Sequence, residues 1–346
     1  MSKEYTHYMP AEALGITEEQ LQAIREEDKD GKWEHITPEF IDTAVQELDL
    51  ERTKRQMTAA QKSYREEHLY QERAKIKIDT DLPITVFSIG DVHLGHVSVD
   101  HKKFFDDMER IAETPGAYIV LMGNLVDNAM PAQYPDNLTE TPIPPDQQVI
   151  IMRKAVQEMD EKGRVLASVK ARCHEGWLRR HTGQDLNKMM FGYEGRGFPI
   201  LENGGTLDLK VGKQSYKMAL FHQTGPFESN FNPEHATRQM NRLNLRMEAD
   251  VVIGAHKHRG AASMNFEGTS KDRKPVAYMR SGTYKGTGHI QDRFARDRYG
   301  KTGEPSGESV TLWPNKKRMD AHLEFETGLL AQEAHMVAEM MKKLDK

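Results

Sequence analysis

The chain has 346 residues, 37% of them hydrophobic and 29% charged, with 48 Lys and Arg against 53 Asp and Glu. This length and apolar content suffice to bury a core, which excludes wholesale disorder, and a single cysteine, Cys173, excludes an internal disulfide and a CxxC metal knuckle. No run approaches the roughly 18 apolar residues of a membrane span, and MSKEYTHYMPAEALG lacks the apolar stretch of a signal peptide, so a cytoplasmic protein with no membrane partner is expected.

Residues 1–80 hold 12 Lys and Arg against 18 Asp and Glu, leaving the other 266 nearly neutral at 36 against 35. ITEEQLQAIREED opens on a Thr17 cap, and ITPEFIDTAVQELDL opens on Thr37 with Pro38 at the first helical position; both predict helices. Residues 51–78, from ERTKRQ to AKIKI, contain strong helix formers and few apolar anchors, which predicts an exposed helix leading to the main body. The region 1–80 is expected to be an acidic helical appendage and linker. Its charge suits a protein-docking module better than a DNA-reading helix-turn-helix.

From Leu82 the chain changes to short apolar runs: ITVFSIG (84–90), AYIVLMG (117–123), RVLASVKA (164–171), YKMALF (216–221) and DVVIGA (250–255). Each has strand length and composition. Helical patterns at 100–114 and 146–163 separate the first three, the alternation that builds a sheet covered by helices. AYMRSGTY (277–284) reads as one more strand. From Gly286 the pattern is weak, and residues 286–309 read as a basic loop, a lid or a partner contact. A terminal helix is expected over 323–346, with its methionines packed in the core.

Five of these runs end in loops bearing histidine or carboxylate, where α/β sheets place their sites. The first loop carries Asp91 and His93, the second Asn124, Asp127 and Asn128, the third Cys173 and His174, the fourth His222, and the fifth His256 and His258. Asp91 offers a hard oxygen and His93 a borderline nitrogen, two residues apart on extended backbone, so both can face one cation. Any one such loop is weak evidence; five in succession are not.

In this order the blocks resemble the calcineurin-like metallophosphoesterase superfamily, whose pattern is D-x-H, G-D-x-x-D, G-N-H-D/E, a single His and G-H-x-H. The likeness spans about residues 84–290. DVHLG is most similar to the double-strand-break repair nucleases of that superfamily, and the core is similar to phosphoesterases carried by tailed phages. The resemblance implies an α/β protein with a four-layer α/β/β/α sandwich over 81–320, the N-terminal helical appendage before it and a C-terminal helix over 321–346 after it. It implies two divalent metal ions (manganese, iron, zinc or magnesium), one held by Asp91, His93 and His258, the other by Cys173, His222 and His256, with position 124 between them. His174 is then the general acid and Asp127 orients its imidazole. The implied activity is phosphodiester hydrolysis, in nucleic acid first. The alternatives are a cyclic-nucleotide or other small phosphodiesterase or phosphatase, or an impaired scaffold that binds a partner.

The sequence departs from the pattern in places that matter. Asn124 stands where the pattern has the bridging carboxylate, and a neutral amide supplies no charge between two cations. Cys173 stands where the pattern has an amide ligand; as a thiolate it restores one negative charge and favours softer ions, and as a neutral thiol it is merely a small buried residue. Arg172 replaces a glycine, Ala255 fills a small-residue position, and Lys257 separates two histidines. Other polar residues have bland readings beside functional ones: His96 as a solvated loop histidine or a donor to substrate, His101 as a solvated loop histidine, Asn128 as a turn residue or a phosphate contact, Arg179 and Arg180 as an exposed helix face or backbone-phosphate contacts. Arg280 to Tyr284 are expected to be structural.

Overall fold

The structure is a computed structural model describing residues 17, 19, 49–67, 73–129, 140–202, 204–223, 232–244, 248–269, 272–287 and 303–344. The chain divides into two units, Met1–Leu69 and Tyr70–Lys346. In the first, helix α1 (Leu50–Glu67) starts where the Asp49 carboxylate accepts the Arg52 N–H at 2.9 Å, an N-cap interaction. Apart from Thr17 and Glu19, the two helices expected before it lie outside the described residues, as does most of the expected basic loop.

The second unit opens on a correction. Residues 73–78, expected to continue a helix, form strand β1 (Arg73–Ile78), paired in parallel with β6 (Gly205–Val211). Ala74, Ile76 and Ile78 alternate with Arg73, Lys75 and Lys77, a period of two that the helix-forming lysines and arginines masked. The expected strands then follow as β2 (Ile84–Ile89), β3 (Ala117–Leu121), β4 (Val165–Lys170), β7 (Gln214–Phe221), β8 (Val251–Gly254) and β10 (Lys274–Arg280). Strands β5 (Ile200–Glu202), β6, β9 (Ala261–Glu267), β11 (Ser309–Leu312) and β12 (Met319–His322) are the others among the described residues.

These strands form two six-stranded sheets, in the orders β12-β11-β2-β3-β4-β5 and β1-β6-β7-β8-β10-β9. In β2, Ile84 and Val86 face the other sheet, where they join Leu207, Met218, Ile253 and Met279 in one core. Phe87 and Ile89 point the opposite way, into a second core with Phe104, Met108 and Ile111 of α2 (His101–Glu113) and Met152 and Val156 of α3 (Pro145–Glu161). A smaller apolar group, including Val252, Val276 and Tyr278, covers the outer face of the second sheet beside α6 (His235–Gln239). The layers are therefore α/β/β/α. Full burial of each such side chain contributes roughly 1.5–3 kcal/mol.

Between β4 and β5 lie two short helices, α4 (His174–Thr182) and α5 (Leu186–Phe191). The terminal helix α7 (Phe325–Leu344) docks through Phe325 and Leu329. Met341, expected in the core, is exposed instead, because the buried apolar residues of α7 lie in its first turns. No helix among the described residues is long and apolar enough to cross a membrane.

Candidate metal centre

Strands β2, β3, β4, β7 and β8 each run into a loop at the carboxyl end, and these five loops meet. Asp91, His93 and His258 form one group of potential ligands, Cys173, His222 and His256 a second, and His93, Asp127 and His174 a third, with the donor atoms of each group within 4.8 Å of one another. Eight residues singled out from the sequence thus come together, and Asn124 joins them through hydrogen bonds to Asp91 and Cys173.

Local backbone makes this possible at a cost. Asp91, His93, Asn124, Asn128, His256 and His258 all have left-handed backbone, with φ between 44° and 79°. Among the described residues they are the only non-glycine residues that do, and each pays roughly 1–2 kcal/mol for it. Such strain gathers at functional sites. Here it lies in the loops after β2, β3 and β8.

In the first group His93 Nε2 lies 3.1 Å from His258 Nε2, and Asp91 Oδ1 lies 3.8 and 3.6 Å from the two. In the second, Cys173 Sγ lies 3.2 Å from His222 Nε2 and 3.8 Å from His256 Nδ1. Asn124 sits between the groups: its Nδ2 donates to Asp91 Oδ1 at 3.0 Å, and its Oδ1 accepts from Cys173 Sγ at 2.9 Å.

The ring tautomers suit ligation. His93 Nδ1 donates to Asp127 Oδ1 at 3.1 Å and His222 Nδ1 donates to the Met122 carbonyl at 2.6 Å, which leaves both Nε2 lone pairs facing the site. Burial keeps the imidazoles neutral: His222 is lowered to about 3, and His93 and His258 fall well below the ordinary histidine value. Burial also pushes Asp91 up to about 8, against the His256 N–H and the Asn124 amide that favour its anion, and lifts the Cys173 thiol to about 12. A buried carboxylate and thiol beside neutral imidazoles are what a divalent cation would balance, so the residues fit the implied metals.

His174 begins α4, and its Nδ1 donates to the main-chain carbonyl of Asp127. Its ring stands edge-on to His93, with centroids 4.4 Å apart, and burial lowers it to about 4. The Asp127 carboxylate is not its hydrogen-bond partner. That group accepts from His93 and from Thr141 at 3.0 Å, with Lys285 Nζ at 3.6 Å. Although burial opposes it, the His93 hydrogen bond and the Lys285 charge hold Asp127 below the usual carboxylate range.

Sequence reasoning did not single out Lys285, which is buried; its only signal was its place directly after the strand end that closes the site. It also left Glu175 without a role. The buried Glu175 carboxylate accepts the Leu125 N–H at 2.6 Å and the Ala171 N–H at 3.2 Å, tying the β3 loop to the β4 loop. His96 is fully buried, not solvated, with Nδ1 accepting from the Ser98 N–H at 3.0 Å. His101 Nε2 accepts from the Gly95 N–H at 3.2 Å. Asn128 closes loops, donating to the His174 carbonyl at 2.6 Å. Thr283 Oγ1 donates to the Asp91 carbonyl at 2.6 Å, a structural contact as expected for this segment. Arg179 lies within 3.9 Å of both Asp185 and Glu202, while Arg172 and Arg180 are exposed.

No family model and no curated protein matches the sequence. Among solved structures, Vps29 from Entamoeba histolytica complexed with zinc is 15% identical, over 69% of this chain and 97% of that one, with a TM-score of 0.32. A predicted phosphoesterase from Streptococcus pneumoniae is 13% identical over 69% and 98%, at 0.29. The calcineurin-like phosphoesterase YfkN from Bacillus subtilis is 9% identical over 77% and 100%, also at 0.29. Likeness at these scores says nothing about activity. The chain's own two mixed sheets, packed face to face between helices with ligand-bearing loops at the strand ends, define an α/β/β/α sandwich with a candidate metal site at one edge.

Proposed function

We propose that this chain is a metal-dependent phosphoesterase that hydrolyses phosphodiester bonds in nucleic acid, a phage-type member of the calcineurin-like superfamily working in the cytoplasm of a bacterial or phage-infected cell. One observation carries the reading: two ligand groups flank Asn124, with His174 at their edge. Divalent ions held there would polarise the phosphate and lower the pKa of water. The chain's own groups supply the rest. Asp127 keeps His93 in the tautomer that presents Nε2, and the Met122 carbonyl does the same for His222. His174 donates Nδ1–H to the Asp127 carbonyl, which aims Nε2 away from that bond and towards a leaving oxygen. A phosphodiester anion beside His174 raises its pKa and lets Nε2 deliver a proton to the departing alkoxide. Lys285, 3.6 Å from the Asp127 carboxylate, balances that charge at the edge of the site. Exposed Arg172 and Arg180, beside the third loop, support a polyanionic substrate. The acidic N-terminal region is proposed to dock a protein partner.

The neutral side chain of Asn124 favours a second reading, a scaffold whose chemistry is silenced. The test assays the full chain and Asn124→Asp side by side on bis(p-nitrophenyl) phosphate, cyclic nucleotides and linear DNA with manganese. The wild type is expected to cleave the first and last, to prefer them over cyclic nucleotides, and to stop on chelation. Activity confined to Asn124→Asp selects the scaffold; faster turnover of cyclic nucleotides selects a small-molecule phosphodiesterase. Inactivity of both proteins, with no ion bound, sinks the proposal.

A further inference from the structure

The two ligand groups are chemically unequal, and Asn124 divides them. The Asn124 amide turns its NH₂ to Asp91 and its carbonyl oxygen to the Cys173 side. An amide nitrogen is no ligand. In this orientation Asn124 adds a donor to the cysteine group alone, which then offers sulfur, two imidazole nitrogens and one oxygen. Bond lengths of about 2.3 Å to sulfur and about 2.0–2.1 Å to nitrogen, at tetrahedral angles, place such donors roughly 3.3–3.6 Å apart. The separations of 3.2 and 3.8 Å from Cys173 Sγ to the two imidazoles bracket that range, while Asn124 Oδ1, 2.9 Å from the sulfur, sits closer than it. The other group offers one carboxylate and two imidazoles, leaving coordination positions to water or substrate.

We infer that the centre holds two different ions: a firmly bound soft ion, zinc, at Cys173, His222, His256 and the Asn124 carbonyl, and an exchangeable harder ion, manganese or magnesium, at Asp91, His93 and His258. The thiol proton passes to solvent as the sulfur–zinc bond forms, so each ion faces one protein anion and no shared carboxylate is needed. The inference rests on the metallophosphoesterase reading and extends it to the division of labour between the ions.

Because the chain has one cysteine, its thiol reports on the site without ambiguity. The full-length protein is stripped with chelator and loaded with cobalt(II) chloride, and the near-ultraviolet sulfur-to-cobalt charge-transfer band is recorded for wild type, Cys173→Ser and Asp91→Asn. Equilibrium dialysis counts bound cobalt. The band is expected in the wild type and in Asp91→Asn and lost in Cys173→Ser, with far-ultraviolet circular dichroism checking that each variant folds. In parallel, alkylation of wild-type Cys173 by iodoacetamide is timed with zinc and with manganese; zinc is expected to slow it about tenfold or more and manganese to leave it near the metal-free rate. Cobalt bound by the wild type with no band, or equal protection by zinc and manganese, overturns the division while leaving a metal-dependent enzyme standing. Absence of any bound cobalt overturns both.

Discussion

His174 is the residue whose role separates chemistry from metal binding. It lies beside the ligands, yet its Nδ1 is committed to a main-chain carbonyl. A p-nitrophenolate departs without protonation, whereas the alkoxide of a nucleotide needs a proton. His174→Gln is therefore expected to lower kcat on DNA by ~10²–10⁴ and to change turnover of bis(p-nitrophenyl) phosphate far less, at unchanged metal content. Equal losses on both substrates would assign His174 to metal holding instead. At this scale the sequence was informative about which residues matter, because a polar side chain after an apolar run stands out. It was silent on which atom does what. That the Asp127 carboxylate serves His93 while its carbonyl serves His174 depends on backbone turns that no spacing reveals.

The loop after β3 is the element on which both ligand groups depend. Gly123 has φ of +83°, and a Cβ there would meet the Ala171 Cβ at 2.8 Å and His222 Nδ1 at 3.1 Å. An alanine would add left-handed strain of roughly 1–2 kcal/mol and push His222 off the Met122 carbonyl. Gly123→Ala is expected to lower the thermal midpoint and weaken zinc retention together, as measured by thermal denaturation and by zinc remaining after dialysis. A lower midpoint with zinc fully retained would show that this loop does not set His222. The strands that position the loops were legible because runs such as ITVFSIG are rich in Val, Ile and Phe. RAKIKI at β1 was not, since Lys and Arg also build helices and only its pairing with β6 selects the extended form. The four-residue β11 and β12 are likewise too short to announce themselves, and they gain their stability from pairing with each other and, through β11, with β2.

At the scale of the whole molecule, Glu308 joins the start of β11 to the strand end behind the site: its Oε2 accepts the Gly282 N–H at 3.0 Å and the Gly307 N–H at 3.3 Å, while the buried Oε1 has no hydrogen-bond partner. Burial raises its pKa from 4.5 to about 8. The folded chain therefore holds a proton that the unfolded chain releases between pH 4.5 and 8, so this contribution to stability is complete below pH 4.5 and is lost as pH rises through 8. Glu308→Gln is uncharged throughout and is expected to flatten the fall in thermal midpoint over that window; identical pH profiles for the two proteins would refute the assignment. The sequence by itself determined the layered α/β class and the residues that could carry chemistry, because hydrophobic period and loop chemistry are local properties written along the chain. Only the tertiary structure decided that Asp91, Asn124, Cys173, His222 and His258 share one space, since their meeting depends on parallel strand pairing and left-handed loop backbone, and both are stabilised by contacts between segments far apart in the chain.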